Sequence, residues 1–118
     1  MKYLLILQLS TAVLDKLTDE ERTAVQAGHD EFRRITQDAG ELISTQALAD
    51  PSTSTVVCSR GVTTGPFRAT GEFIGGYYLV DVESKDRAIE LADLLPDAGI
   101  DGLAIEVRPV MFPAVADY

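Results

Sequence analysis

Two apolar runs dominate the pattern of hydrophobic and polar residues. Residues 2–9 include four consecutive apolar positions from Leu4 to Leu7, and residues 73–82 join apolar and aromatic residues. Continuous apolar runs of this length are typical of strands that are covered on both faces. The pattern therefore predicts a central strand over residues 2–9 and a second buried strand over residues 73–82.

A helix is predicted over residues 18–39. Thr18 and Glu21 have the spacing of a capping box, in which each side chain bonds the backbone N–H of the other residue. Gly40 is a suitable stop. Between the cap and Gly40, the apolar positions have the three-and-four spacing of one buried helix face. They are Val25, Phe32, Ile35 and Ala39.

A second helix is predicted after Ser84, which can cap it, and Pro96 ends it. Its buried face consists of Ala88, Leu91, Ala92 and Leu95. Further strands are predicted over residues 41–49, 55–60 and 103–110, the last of them stopped by Pro109 and Pro113. Residues 62–68 are interrupted by Gly-Pro, which suits a tight turn or a bent edge.

The order of elements is therefore strand, helix, two or three strands, helix and strand. This order predicts an α+β fold of the ferredoxin-like, split βαβ type, with both helices on one face of an antiparallel sheet. The two apolar strands are hydrophobic on both faces, whereas two helices cover only one. We therefore expect a second copy of the chain to cover the other face, which makes the protein a homodimer.

The length and net charge of the chain indicate how many domains it forms and which partners are disfavoured. The chain has 118 residues, enough for one core, so residues 1–118 are expected to form a single domain. Its net charge is −9, which disfavours binding to nucleic acid. The acidic groups at residues 15–21, 81–93 and 97–101 are interpreted as solvated surface.

The cysteine count and the hydropathy of the chain indicate which cellular compartment and which partners to expect. Cys58 is the only cysteine, so no intrachain disulfide and no cysteine zinc cluster can form, which fits a reducing cytoplasm. The apolar run at residues 3–9 is far shorter than the roughly 20 residues of a membrane span, so no membrane partner is expected. The chain has one histidine and no paired-ligand spacing, so no metal site is expected.

Five sequence features together resemble YCII-related proteins of the DGPF-domain group. They are the opening MKYLLIL; His29 followed by Phe32; Gly40-Glu-Leu42; Gly65-Pro-Phe67 leading to GGYYLVDV at residues 75–82; and EVRPV at residues 106–110. The resemblance implies a dimeric α+β barrel, in which two ferredoxin-like sheets pack face to face. It also implies an active site with a histidine, matched by His29, and an aspartate that we do not assign to a residue.

The chain departs from the family motif at one position. The motif is Asp-Gly-Pro-Phe, whereas this chain has Thr64 before Gly65. If the family aspartate supplies a carboxylate to a pocket, Thr64 offers only a neutral hydroxyl. If the aspartate caps the turn, threonine does the same more weakly, and the following Gly-Pro favours this interpretation.

His29 is the main candidate for chemistry. It is the only histidine, and it lies on the flank of the helix face that also contains Val25 and Phe32. An imidazole can transfer protons near neutral pH, so His29 is either a catalytic or ligand-binding residue or a histidine hydrogen-bonded at the edge of the core. Asp30 points about 100° away from His29 around the helix axis, so it is a poor hydrogen-bond partner for the imidazole.

The other ligand-binding candidates lie on three further segments. Thr64 and Phe67 contact a ligand if their turn closes over His29. Glu106 and Arg108 share one face of the last strand, where they either pair with each other or both face a cavity. Tyr77 and Tyr78 point to opposite sides of their strand, and a phenol hydroxyl such as that of Tyr78 either reaches a pocket or stays within the core.

Two functions remain open from sequence. The first is a homodimer that binds a small organic ligand in an apolar pocket, with acid–base chemistry through His29 and without a cofactor. The second is a non-catalytic binding or regulatory module, because some relatives occur beside extracytoplasmic-function sigma factors. A cavity lined by His29, with a second polar group within about 3 Å, favours chemistry. A histidine bonded to backbone in a filled core favours the module.

Overall fold

The computed structural model describes residues 1–111, which contain six strands and three α-helices. The strands are β1 (Lys2–Ser10), β2 (Leu42–Ala47), β3 (Thr55–Cys58), β4 (Gly61–Thr64), β5 (Glu72–Asp81) and β6 (Ala104–Pro109). The helices are α1 (Thr11–Asp15), α2 (Asp19–Asp38) and α3 (Lys85–Leu94), and two short 3₁₀ turns span Pro51–Thr53 and Pro96–Gly99.

Four of the strands form one antiparallel sheet in the order β2-β5-β1-β6. The two apolar runs, β1 and β5, occupy its centre, as their hydrophobic pattern predicts. Strands β3 and β4 pair with each other as a separate hairpin inserted between β2 and β5. The arrangement confirms the predicted ferredoxin-like α+β fold.

The core lies between the helices and one face of the sheet. Leu5 and Val80 on the two central strands are fully buried, as are Phe32 on α2 and Leu91 on α3. On the opposite side of the sheet, Leu4, Ile6, Tyr77 and Leu79 are neighbours in the β1–β5 register, and we call these four residues the second face. Within residues 1–111, no helix has the length and apolar character needed to cross a membrane.

The predicted helix boundaries are confirmed by the caps. The Thr18 Oγ1 accepts from the Glu21 N–H at 3.1 Å, and the Thr18 N–H donates to the Glu21 carboxylate at 2.9 Å. Gly40, just past the end of α2, has φ +68°, a conformation that glycine adopts without strain. Ser84 caps α3 through the Arg87 N–H at 3.1 Å.

Strand boundaries differ more from the prediction. The strands predicted at residues 41–49, 55–60 and 103–110 are each shorter by two or three residues. The short helix α1 was not predicted, because its five residues make less than two helical turns and no side chain caps it. Residues 61–64 form β4, and the cis Gly65–Pro66 bond follows it. Pro113 lies outside the described residues.

Candidate functional site

Helix α2 and strand β2 border a cavity of about 430 Å³, which we call the His29 cavity. Three side chains from one face of α2 line it, namely Gln26, His29 and Arg33. Their spacing of three and four residues places them in one row along the helix. The buried Phe32 anchors the adjacent face of α2 in the core, so this row lies at the edge of the helix.

The sheet supplies the other walls. Residues 45–47 of β2 contribute a threonine, a glutamine and an alanine, and Leu7 and Tyr78 complete the lining from the central strands. The hydroxyl of Thr45 donates to the Tyr77 carbonyl at 2.8 Å. The cavity therefore combines apolar residues with neutral hydrogen-bonding groups and a single permanently charged side chain, that of Arg33.

His29 is hydrogen-bonded to a side chain at each ring nitrogen. Its Nδ1 lies 2.7 Å from the Tyr78 hydroxyl, and its Nε2 lies 2.7 Å from Oδ1 of Asp97. The Asp97 side chain is 5% exposed and that of His29 is 14% exposed. The Phe32 ring packs edge-on against Tyr78, with ring centroids 4.6 Å apart, and holds the phenol in place. Asp97, His29 and Tyr78 thus form a continuous chain of hydrogen bonds.

A glycine lets Asp97 reach the histidine. Asp97 lies in the 3₁₀ turn Pro96–Gly99, and Pro96 packs directly on Gly28 of α2. A β-carbon at Gly28 would lie 2.7 Å from the Pro96 Cγ, a distance that van der Waals contact does not permit. Leu95, fully buried, anchors the turn from the α3 side. The lack of a side chain at residue 28 therefore brings the carboxylate to the next residue, His29.

The hydrogen bonds determine where the imidazole proton lies. When Asp97 is ionised, its carboxylate only accepts hydrogen bonds, and Nε2 of His29 is then the donor. Nδ1 then has a lone pair, which accepts the Tyr78 hydroxyl proton in the neutral ring. Burial raises the pKa of the Tyr78 phenol, an effect that the Arg33 charge partly opposes and the Asp97 charge reinforces. Tyr78 is therefore held as a neutral phenol.

This arrangement is suited to moving protons. Two groups that can each donate and accept a proton, the imidazole and the phenol, meet at the cavity wall, and a buried carboxylate lies behind the imidazole. A carboxylate in that position orients the ring and stabilises its protonated form. Residues 1–111 contain no cluster of three or more histidine, cysteine or acidic side chains that could bind a metal ion.

The ligand-binding residues predicted from sequence lie in three places. His29 and Tyr78 meet at the cavity. Glu106 and Arg108 form an ion pair with each other on the opposite side of the sheet, where Glu106 also accepts from Gln8 at 3.1 Å. Thr64 ends β4 and is exposed.

Phe67 is 69% exposed, and the guanidinium of Arg68 lies 5.0 Å from the centre of its ring. The Gly-Pro turn, residues 64–67, borders a different depression of about 260 Å³. None of its residues lines the His29 cavity.

The sequence pattern does not predict the role of Asp97. The solvated surface predicted at residues 97–101 is wrong for Asp97, because only 4% of this residue is exposed. Two signals were present in the sequence. Gly28 is an unfavourable residue in a helix interior, which indicates close packing at that point. The Pro96-Asp97 pair directly follows the buried Leu95, so Asp97 begins a turn attached to the core.

Two comparisons with known proteins bear on the family of this chain. A search of curated proteins gives no match. The family model of the YCII-related domain matches residues 1–112, nearly the whole chain. This match covers β1 to β6 and all three residues of the hydrogen-bonded chain. The protein belongs to the YCII-related domain family.

Proposed function

We propose that this protein binds a small organic molecule in the His29 cavity and transfers a proton to or from it through His29 and Tyr78. The observation that carries the proposal is the Asp97–His29–Tyr78 chain, with 2.7 Å between partners at both ring nitrogens. Both ring nitrogens bond side chains rather than backbone. The cavity volume of about 430 Å³ is also within the usual range for small-molecule sites.

The proton path follows from the hydrogen-bond directions. An acidic C–H of the ligand gives its proton to the Tyr78 oxygen while the phenol proton passes to Nδ1 of His29. The electron pair of the broken C–H bond moves to an adjacent carbonyl oxygen of the ligand and forms an enolate. His29 ends as an imidazolium beside the Asp97 carboxylate, and the reverse transfer returns the proton.

Tyr78 acts in this path as a relay that remains neutral overall. Its pKa is raised by burial, so a free phenolate is disfavoured and the net charge change falls on His29. Asp97 does not line the cavity and acts through His29, which makes it a positioning residue. The proposed reaction draws only on these protein groups and includes no cofactor.

Hydrogen–deuterium exchange at carbon tests the proposal. The probes are phenylpyruvate, which is an anion, and acetylacetone, which is uncharged at neutral pH. Exchange in D₂O at neutral pH is followed by NMR. General acid–base catalysis typically contributes about 10²- to 10⁴-fold. We expect His29→Gln to lower the catalysed rate at least 10²-fold, whereas Arg34→Gln, on the solvent-exposed side of α2, retains it. Equal rates for the wild type and His29→Gln with both probes would overturn the proposal and favour a non-catalytic module.

We further propose that the protein is a homodimer joined through the second face. Leu4, Tyr77 and Leu79 on this apolar face stay partly exposed, whereas their neighbours on the helix side of the same strands are buried. The described chain is only 19 Å thick in its shortest direction. A sheet with two apolar faces needs a layer on each. Glu106 and Arg108 lie beside the second face on β6 and pair with each other, so a second copy can pack there without burying an unpaired charge from them.

Sedimentation velocity at micromolar concentration tests the dimer. We expect twice the 12.8 kDa mass of one chain for the wild type. Leu79→Glu, on the second face, is expected to give the single-chain mass. Ile89→Glu, at a 47% exposed position on α3, is the control and should leave the dimer intact. A wild type that sediments as a single chain would contradict the proposal, whatever the variants do.

A further inference from the structure

We propose that the His29 cavity takes a small organic acid, whose ionised carboxylate is bound by Arg33 and whose reacting carbon is two or three bonds from that carboxylate. The identity of the reacting carbon rests on the proton transfer proposed above. The binding of the carboxylate does not depend on that reaction and can be tested separately.

The charge of the cavity is the first argument. The chain has a net charge of −9, yet the only permanent charge among the residues that line this cavity is the positive charge of Arg33. The remaining polar lining consists of neutral amides and hydroxyls, together with His29. In a strongly acidic protein, a cavity with a single cationic side chain selects for anionic ligands over cationic ones.

Arg33 has donors to spare. Its Nη2 forms an ion pair with Asp30, and Asp30 also accepts from the Gln26 amide at 3.2 Å. The Asp30 side chain is 60% exposed, and ion pairs at such exposed sites are weak. A guanidinium has five N–H donors. Asp30 therefore contacts Arg33 and Gln26 at the rim but leaves the guanidinium able to bind a second carboxylate.

The position of Arg33 relative to His29 limits the ligand. Arg33 is four residues beyond His29, which is about 6 Å along the axis of α2. The Arg33 charge also acts directly on the Tyr78 phenol and opposes the effect of burial on its pKa. A carboxylate on Arg33 therefore lies beside the proton relay. A carbon two or three bonds from the carboxylate then reaches Tyr78.

A carboxylate fits better than a phosphate. Phosphate sites in proteins usually combine several backbone N–H groups with a helix N-terminus. Here α2 begins at Asp19, about two turns before the first lining residue, Gln26. The lining supplies one guanidinium, whose planar pair of donors matches the two oxygens of a carboxylate.

Paired probes of equal shape test the assignment. Phenylacetate and phenylacetamide differ only in the charged group, and inorganic phosphate is the third probe; binding is measured by isothermal titration calorimetry. We expect the wild type to bind phenylacetate at least tenfold more tightly than the amide, and more tightly than phosphate. Arg33→Gln should bring the ratio of acid to amide affinity close to one. Arg34→Gln, the neighbouring arginine that pairs with Glu31 and Asp38, should keep the tenfold ratio.

His29→Gln separates this inference from the proposed reaction. This variant is expected to lose carbon–deuterium exchange but keep the preference for the acid, because Arg33 is unchanged. If the preference disappears in His29→Gln and persists in Arg33→Gln, the imidazole binds the anion and the inference is overturned. Equal affinity of the wild type for acid and amide, or tighter binding of phosphate, also overturns it. None of these three binding results bears on the carbon–deuterium exchange of the wild type, which tests the proposed reaction separately.

Discussion

The His29 cavity and the Gly-Pro turn differ in how the fold supports them. His29 lies on a 20-residue helix, its partner Tyr78 lies on a central strand, and the third member, Asp97, is 4% exposed. The turn follows a two-stranded hairpin whose residues Val57 and Val62 are 77% and 68% exposed. Both regions contain residues that carry the family resemblance. Only the first holds its polar groups on rigid elements in the fixed geometry that catalysis requires.

The largest effect is expected from Asp97→Asn. An amide at this position can present its NH₂ group to Nε2, which removes the constraint on the histidine tautomer and the charge that stabilises the imidazolium. We expect the carbon–deuterium exchange rate to fall about 10²-fold or more. Asp101→Asn, at an exposed position four residues further along, is the control. A rate within threefold of the wild type in Asp97→Asn would show that the carboxylate has no part in proton transfer.

Gly28→Val should affect stability and the site together. Its side chain would meet the Pro96 ring, which already lies 2.7 Å from an ideal β-carbon, and the turn that includes Asp97 must move outward. Overpacking of this kind costs about 1 to 3 kcal/mol, and a displacement of about 1 Å in a catalytic group can lower a rate by up to about 10²-fold. Urea unfolding and the exchange assay measure the two effects.

Gly65→Ala is the change in the Gly-Pro turn that corresponds to Gly28→Val. Its new β-carbon would also meet a close neighbour, because it would lie 2.8 Å from the Ser54 Cβ. We expect a loss of stability without a loss of exchange activity. Gly99→Ala, where no atom lies within 4 Å of an ideal β-carbon, should change neither. If Gly65→Ala lowered the exchange rate as much as Gly28→Val, the two regions would not be functionally distinct.

The pH dependence of stability reports on Tyr78. Its pKa is raised in the folded protein, mainly by burial. Below the ordinary tyrosine pKa of about 10, the phenol is protonated in both the folded and unfolded states, so its contribution is complete. As the pH rises above 10, the unfolded chain releases this proton first, and stability falls by up to about 1.4 kcal/mol per pH unit. Urea unfolding from pH 8 to 11 should therefore show a shallower decline for Tyr78→Phe, and identical slopes would contradict the raised pKa.

Much of the fold could be predicted from local sequence signals. The capping residues Thr18 and Ser84 and the continuous apolar strands identify elements by themselves, and their order leaves few topologies. The site could be predicted only in part. His29 is unique in the sequence, but Asp97 is 68 residues away and looks like any acidic residue after a helix. Its role depends on the contact between Pro96 and Gly28, a long-range packing detail that periodicity does not contain.

The smallest effect is expected from Thr64→Asp, which restores the family motif in the Gly-Pro turn. Thr64 is exposed at the end of β4 and lies outside the His29 cavity, so an added carboxylate there should be solvated. An aspartate caps a turn somewhat better than a threonine, which predicts a change in stability within about 0.5 kcal/mol. The exchange rate should stay within twofold of the wild type. A change of tenfold or more would mean that the turn, from the same chain or from a second copy, reaches the cavity, and the contrast between the two regions would then fail.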